Sequence, residues 1–141
     1  MSRSEVNYIY DAATALRVPA SAAVITSGVI GTFTLDKLVN MRKSSQRNKL
    51  GAQEYSIVVV VSAIDRTTGD ETYTFSVKTG AAGSPTTVVA TLAVNKTGQH
   101  VICLDAHTIE RLDATHAVLE LSLAVAGTTP IISFSAWVGA C

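Results

Sequence analysis

The side chains of this chain that could do chemistry are few: three histidines, two cysteines and a small group of turn carboxylates. His100 and His107 flank one extended segment and His116 precedes another. No HxH or HExxH pair occurs, nor the closely spaced histidines with a following Glu that hold metal in a cupin. The histidines therefore read as surface or edge residues. A GxSxG nucleophile elbow is absent, and Gly80 and Gly83 lack the Lys and helix that would make them a phosphate loop. Cys103 sits among Val101, Ile102 and Leu104 and reads as a small buried hydrophobe, while Cys141 is the last residue. Their separation gives neither a CxxC motif nor a zinc spacing. They read as two free thiols, with a disulfide between them as the alternative. Asp65, Asp70 and Glu71 bracket a turn, where calcium is conceivable because hard cations take clustered oxygens. The spacing is not that of an EF-hand, so an ordinary turn is the preferred reading. Asn95-Lys96-Thr97 matches a glycosylation sequon and is read as a turn. The expectation is a non-enzyme with no cofactor and no metal.

The elements that would position these residues are strands. In residues 71–78, Tyr73, Phe75 and Val77 alternate with Thr72, Thr74 and Ser76, the period of a half-buried strand. Residues 117–126 repeat the pattern with Leu119, Leu121, Leu123 and Val125. Ile132, Phe134, Ala136 and Val138 alternate with Ser133, Ser135 and Trp137, and Val88, Ala90, Leu92 and Val94 with Val89, Thr91 and Ala93. Residues 56–64, SIVVVVSAI, are apolar on both faces. That predicts a strand covered on both sides, either by an arm or neighbouring subunit or by a loop of its own chain. Ile57, Val59 and Val61, or their alternates, are placed near a subunit interface on the first of these readings. Residues 24–35 and 100–104 add further strands. Residues 65–70, 80–85, 95–98 and 127–130 are the turns between them, and residues 108–114 suit one helical turn. The sum is an all-β antiparallel sandwich or jelly roll of about eight strands in a single domain, 1–141.

Composition agrees with this and narrows the partners. Apolar residues make up 48% of the chain and charged residues only 16%, against about a quarter charged in typical soluble domains. Much of the remainder is Thr, Ser, Ala and Gly, which suits faces buried against neighbours. The 11 basic and 11 acidic residues cancel, so long-range steering to nucleic acid or an anionic membrane is not expected. No stretch reaches the roughly 18 apolar residues of a membrane span, and the first residues lack the apolar core of a secretory signal. One segment stands out. Residues 36–53 form a long loop holding Lys37, Arg42, Lys43, Arg47 and Lys49 with no acid between Asp36 and Glu54. Without aromatic residues it lacks the stacking platform of a single-strand binder. A basic loop of this kind either docks on an acidic protein surface or stands solvated. Trp137 lies on a serine face, where it serves as a contact anchor or packs beneath an N-terminal arm, residues 1–14, that carries Tyr8 and Tyr10.

Taken together the pattern resembles the small jelly-roll decoration, or cement, proteins on the heads of tailed bacteriophages. The resemblance is carried by Asp11-Ala12-Ala13, then Ala20-Ser21-Ala22-Ala23, then the strand Ser27-Gly28-Val29-Ile30-Gly31, then the Val-rich residues 55–64. It ends with the Gly127-Thr128-Thr129-Pro130 turn running into Phe134-Ser135-Ala136-Trp137. It covers most of the chain, and the basic loop has no place in it. The resemblance implies a homotrimer on the capsid surface that bridges subunits of the major capsid protein, assembled in the host cytoplasm and located in the virion. Tyr8, Tyr10, Trp137 and the basic loop are the candidate capsid contacts. A carbohydrate-binding module and another virion part, from tail or head completion, are the rival readings.

Overall fold

The computed structural model describes residues 15–19, 21–34, 54–113 and 115–140. Tyr8, Tyr10, Lys37, Arg42, Lys43, Arg47 and Lys49 lie outside them. The elements run β1 (Ala15–Arg17), β2 (Gly28–Thr34), β3 (Glu54–Ile64), β4 (Thr72–Ala81), β5 (Ser84–Val94), β6 (Gly98–Asp105), α1 (Ala106–Leu112), β7 (Val118–Ala126) and β8 (Ile132–Ala140). They form two four-stranded antiparallel sheets, β1-β8-β3-β6 and β2-β7-β4-β5. The pairing is nested: first strand with last, second with seventh, third with sixth, fourth with fifth.

The apolar alternation of the sequence becomes the filling between the sheets. Ile57, Val59 and Val61 of β3 and Phe134, Ala136 and Val138 of β8 meet Tyr73, Phe75 and Val77 of β4 and Leu119, Leu121 and Leu123 of β7. Burying one such large side chain contributes about 1.5 to 3 kcal/mol. The rings of Phe75 and Phe134 meet edge to face across the sheets, 5.0 Å apart at 80°. This corrects the placing of Ile57, Val59 and Val61 at a subunit interface: they point inward and are spent on the core.

The other face of β3 is covered as well. Ser56 and Val58 are buried although they alternate with core residues, and so is Trp137, the cross-strand partner of Val58. Strand β3 lies inside its sheet, between β8 and β6, and a single chain covers its first half on both sides. Trp137 is only 4% exposed, so it is not the surface anchor its serine neighbours suggest.

Three further expectations change. Residues 80–85 are not a long loop: β4 runs to Ala81 and pairs it with Ser84, leaving two residues to turn the hairpin. Along β5 the register slips at Val89, putting Val88 opposite Lys78 while Ala90 faces Val77. One extra residue in a strand reverses the faces beyond it, so Val88 points outward and is 48% exposed. Cys103 lies on the exposed face of β6, between the buried Ile102 and Leu104. It is engaged in a disulfide rather than free. The chain's other cysteine is Cys141. Cys103→Ser is expected to lower stability by about 2 to 4 kcal/mol, and a reductant should lower the melting temperature of the native chain while leaving that of the variant unchanged.

The two open sides of the sandwich are closed differently. On one, β1 lies against β2, and a Cβ at Gly31 would sit 2.4 Å from the backbone oxygen of Leu16. Only glycine permits that approach. On the other, where one helical turn is expected at residues 108–114, stands the two-turn helix α1, Ala106–Leu112. It packs on β5 and β6 and inserts Ile109, which is fully buried.

Candidate functional site

One end of the sandwich is built from the β3–β4 turn, the β7–β8 turn and the segment entering β2. Its carboxylates are fully engaged by the turns. Asp65 Oδ1 accepts from the Thr67 N–H at 2.9 Å and from its hydroxyl at 2.6 Å. Glu71 accepts from the N–H groups of Thr68 and Gly69 at 3.0 and 2.8 Å. Asp70 reaches across to the other turn, accepting from the N–H and hydroxyl of Thr128 at 3.1 and 2.9 Å. The buried Tyr73 hydroxyl donates to the Asp65 carbonyl at 2.5 Å and accepts from the Ile131 N–H at 3.0 Å. Asp65, Asp70 and Glu71 therefore act as turn locks. Hydrogen bonds from Thr67 hold the Asp65 carboxyl below its usual pKa, and those from Thr128 do so for Asp70. In Glu71 burial pushes the other way and is outweighed by backbone N–H donors. The rigid end presents Thr129 in a left-handed conformation, φ 48°, which a β-branched residue adopts only under strain.

A second lock stands at the β5–α1 side. Asp113 accepts from the Thr87 hydroxyl at 2.7 Å and from the Thr115 hydroxyl and N–H at 2.6 and 2.8 Å. His116 Nδ1 lies 2.8 Å from the Asp113 carbonyl. The Thr115 and Thr87 hydroxyls are the main cause that lowers the Asp113 pKa from 3.8 to about 2. The folded state thus favours the ionised carboxylate. Its stabilising effect is complete above the unfolded value and is lost as pH falls from about 4 to about 2. Asp113→Asn is expected to flatten the fall in melting temperature across that window, measured by thermal scans at half-unit pH steps.

Two shallow hollows lie on the outer faces of the sheets. One, of about 360 Å³, is lined by Pro19, Ser21, Val60, Ser62, Ser133, Phe134 and Ser135. The other, of about 310 Å³, lies over β2, β4 and β7 around Val29, Ser76, Lys78, Glu120 and Ser122. The Arg17 guanidinium stacks 4.9 Å above the Phe134 ring and donates to the Ala22 carbonyl. Nothing in the sequence marks Arg17, since a lone cation in an apolar run carries no motif. His100 and His116 make separate contacts, His100 with the Lys96 carbonyl at 3.1 Å. Among the described residues no three His, Cys, Asp or Glu side chains gather as metal ligands, and no helix is long and apolar enough to cross a membrane. Of the sequence-chosen contact residues, Trp137 is buried, and the tyrosines and the basic loop fall outside the described residues. Comparison of the chain with protein-family models, with characterised proteins and with solved structures finds no match.

Proposed function

We propose that this chain is a non-enzymatic structural protein of a phage virion, a jelly roll that binds the outside of the capsid as a homotrimer and bridges subunits of the major capsid protein. The observation that carries the reading is the nested strand pairing. Strands one and eight, two and seven, three and six, and four and five are paired, a nesting that supports a jelly-roll reading of the sandwich. The spending of Asp65, Asp70, Glu71 and Asp113 on turn locks supports a rigid scaffold rather than an acid–base site. Weak contacts to several coat subunits would add through multivalency, which can raise avidity by about 10² to 10⁴ over one contact. The basic loop, residues 36–53, is the proposed electrostatic contact to the shell. Trp137 is buried, which weighs against its use as a stacking platform for a sugar.

The test is made on particles produced by the genome that encodes the chain. Mass spectrometry of purified virions should find the protein in amounts comparable to the coat protein, and immunogold should label the heads. Its absence from virions overturns the proposal. Gold confined to tails replaces it with the tail-component reading.

A further inference from the structure

We infer that the bond at Cys103 is a redox latch, closed onto a fold that is complete without it. Cys103 is engaged in a disulfide and the chain holds two cysteines, so its partner is Cys141. The strand register fixes what that bond must cross. On β3, Ser56 faces Cys103 of β6 on one side and Gly139 of β8 on the other. Cys103 and Gly139 therefore stand two strand spacings apart, about 10 Å. Bonded half-cystines keep their Cα atoms within about 7 Å of each other. The bond is thus no rung between paired strands: it straps the end of β8 back across β3 to β6. Ser56, at the crossing, is 0% exposed although it lies on the outward face.

Neither the ladder nor the core depends on this strap. Strand β3 pairs with β8 from Ile64–Ile132 to Tyr55–Ala140, and with β6 as far as Glu54–Asp105. The core side chains Ile102, Leu104 and Val138 alternate with Cys103 and Gly139 and lie on the opposite face of the sheet. A chain of this length buries about two thirds of its surface on folding, whereas the domains that need disulfides to fold are small secreted ones. The dithiol chain is therefore expected to be native. Cys103 is also exposed, so dissolved thiols and disulfides reach it, and exposed disulfides belong to the labile class.

The closing step needs only a small disulfide such as oxidised glutathione. One protein thiolate attacks it, forming a mixed disulfide and releasing one glutathione thiolate. The second protein thiolate attacks the protein sulfur of that mixed disulfide, forms the Cys103–Cys141 bond and releases the second glutathione thiolate. Two cysteines are oxidised, one glutathione disulfide is reduced, and the two protons lost by the cysteines end on the released thiols. Cytosolic glutathione holds thiols reduced. On the virion reading above, on which this timing rests, the chain folds and joins its shell as the dithiol, and the strap closes when the particle leaves the cell. The latch hardens the protein after assembly rather than during it.

The purified full chain would be equilibrated in glutathione buffers of graded ratio, alkylated in denaturant with N-ethylmaleimide and weighed intact. Two adducts are expected from the reducing buffers and none from the oxidising ones, with the same far-UV circular dichroism spectrum before denaturation. The disulfide form should melt about 6 to 12 °C above the dithiol. Cys141→Ser should melt with the dithiol and ignore the buffer. A dithiol chain without the native spectrum overturns the inference, as does a bond that survives the reducing buffers, or equal melting temperatures for the two forms. For the timing, cells making particles and the particles they release would be treated with N-ethylmaleimide before being opened. Two adducts are expected on the chain inside and none on the chain outside. A bond already complete inside the cell, or two adducts on released particles, overturns the timed latch. Released particles that lack the chain sink the virion reading, and the response of the purified chain then decides the latch alone.

Discussion

Phe75→Ala is expected to cost about 3 to 5 kcal/mol, the range for emptying a large aromatic site in a packed core. Phe75 is fully buried at the centre of β4 and closes edge to face on Phe134 from the opposite sheet. The cavity would open where the two sheets touch. Its surroundings are core side chains carried on strands of both sheets. For a chain of this length each kcal/mol moves the melting temperature by about 3 °C, so a drop of about 10 °C or more is expected. Phe75→Leu keeps most of the volume and loses the ring pair, at about 1.5 kcal/mol. Equal losses for Ala and Leu would mean that ring geometry, not volume, carries the contact.

Gly127→Ala should be of similar size for a different reason. Gly127 has φ +105°, and a Cβ there would lie 2.5 Å from the Asp70 carbonyl oxygen and 2.6 Å from the Glu71 Cα. Both neighbours are backbone, held by the turn that Asp70 and Glu71 lock, so neither can swing aside. Strained backbone and overpacking each cost about 1 to 3 kcal/mol, and together they predict about 3 to 5 kcal/mol. Gly69→Ala is the control. Its φ is +87°, but a Cβ there meets nothing within 4 Å. It should show the conformational cost alone, about 1 to 2 kcal/mol. Denaturant midpoints of the two variants separate strain from collision.

The sequence was legible where one face of a strand is wet and the other dry. Tyr73, Phe75 and Val77 and Leu119, Leu121 and Leu123 announce themselves by period two and occupy the core as that period requires. Legibility fails where the period breaks without a residue to mark it. The bulge at Val89 carries no glycine, so nothing in TTVVATLAV shows that Val88 faces outward. Strand β1 has three residues and no room for a period. The apolar sequence neighbours of Cys103 suggest burial, but a strand gives neighbours opposite faces, and Cys103 is exposed between the buried Ile102 and Leu104. The turn carboxylates were read correctly as turn formers, yet their reach across turns, Asp70 to Thr128 and Asp113 to Thr87, lies in the topology and in no local motif. The expected partner contacts on Tyr8, Tyr10 and the basic loop fall outside the described residues, and those on Ile57, Val59, Val61 and Trp137 are buried.

The nested pairing also dictates an order in time. Strands β4 and β5 are joined by two residues, whereas the outermost pair brings Ala15 to Trp137 from opposite ends of the described chain. The entropy of closing a loop rises with its length, and each inner pair, once formed, shortens the loop that the next must close. Assembly is therefore least costly as a zipper running outward from the β4–β5 hairpin, with β1 joining β8 last. Contacts so distant in sequence place folding at roughly milliseconds to seconds. Until the final pair closes, β8 stands as an apolar edge, and that interval is when the chain is most open to pairing with the wrong copy of itself.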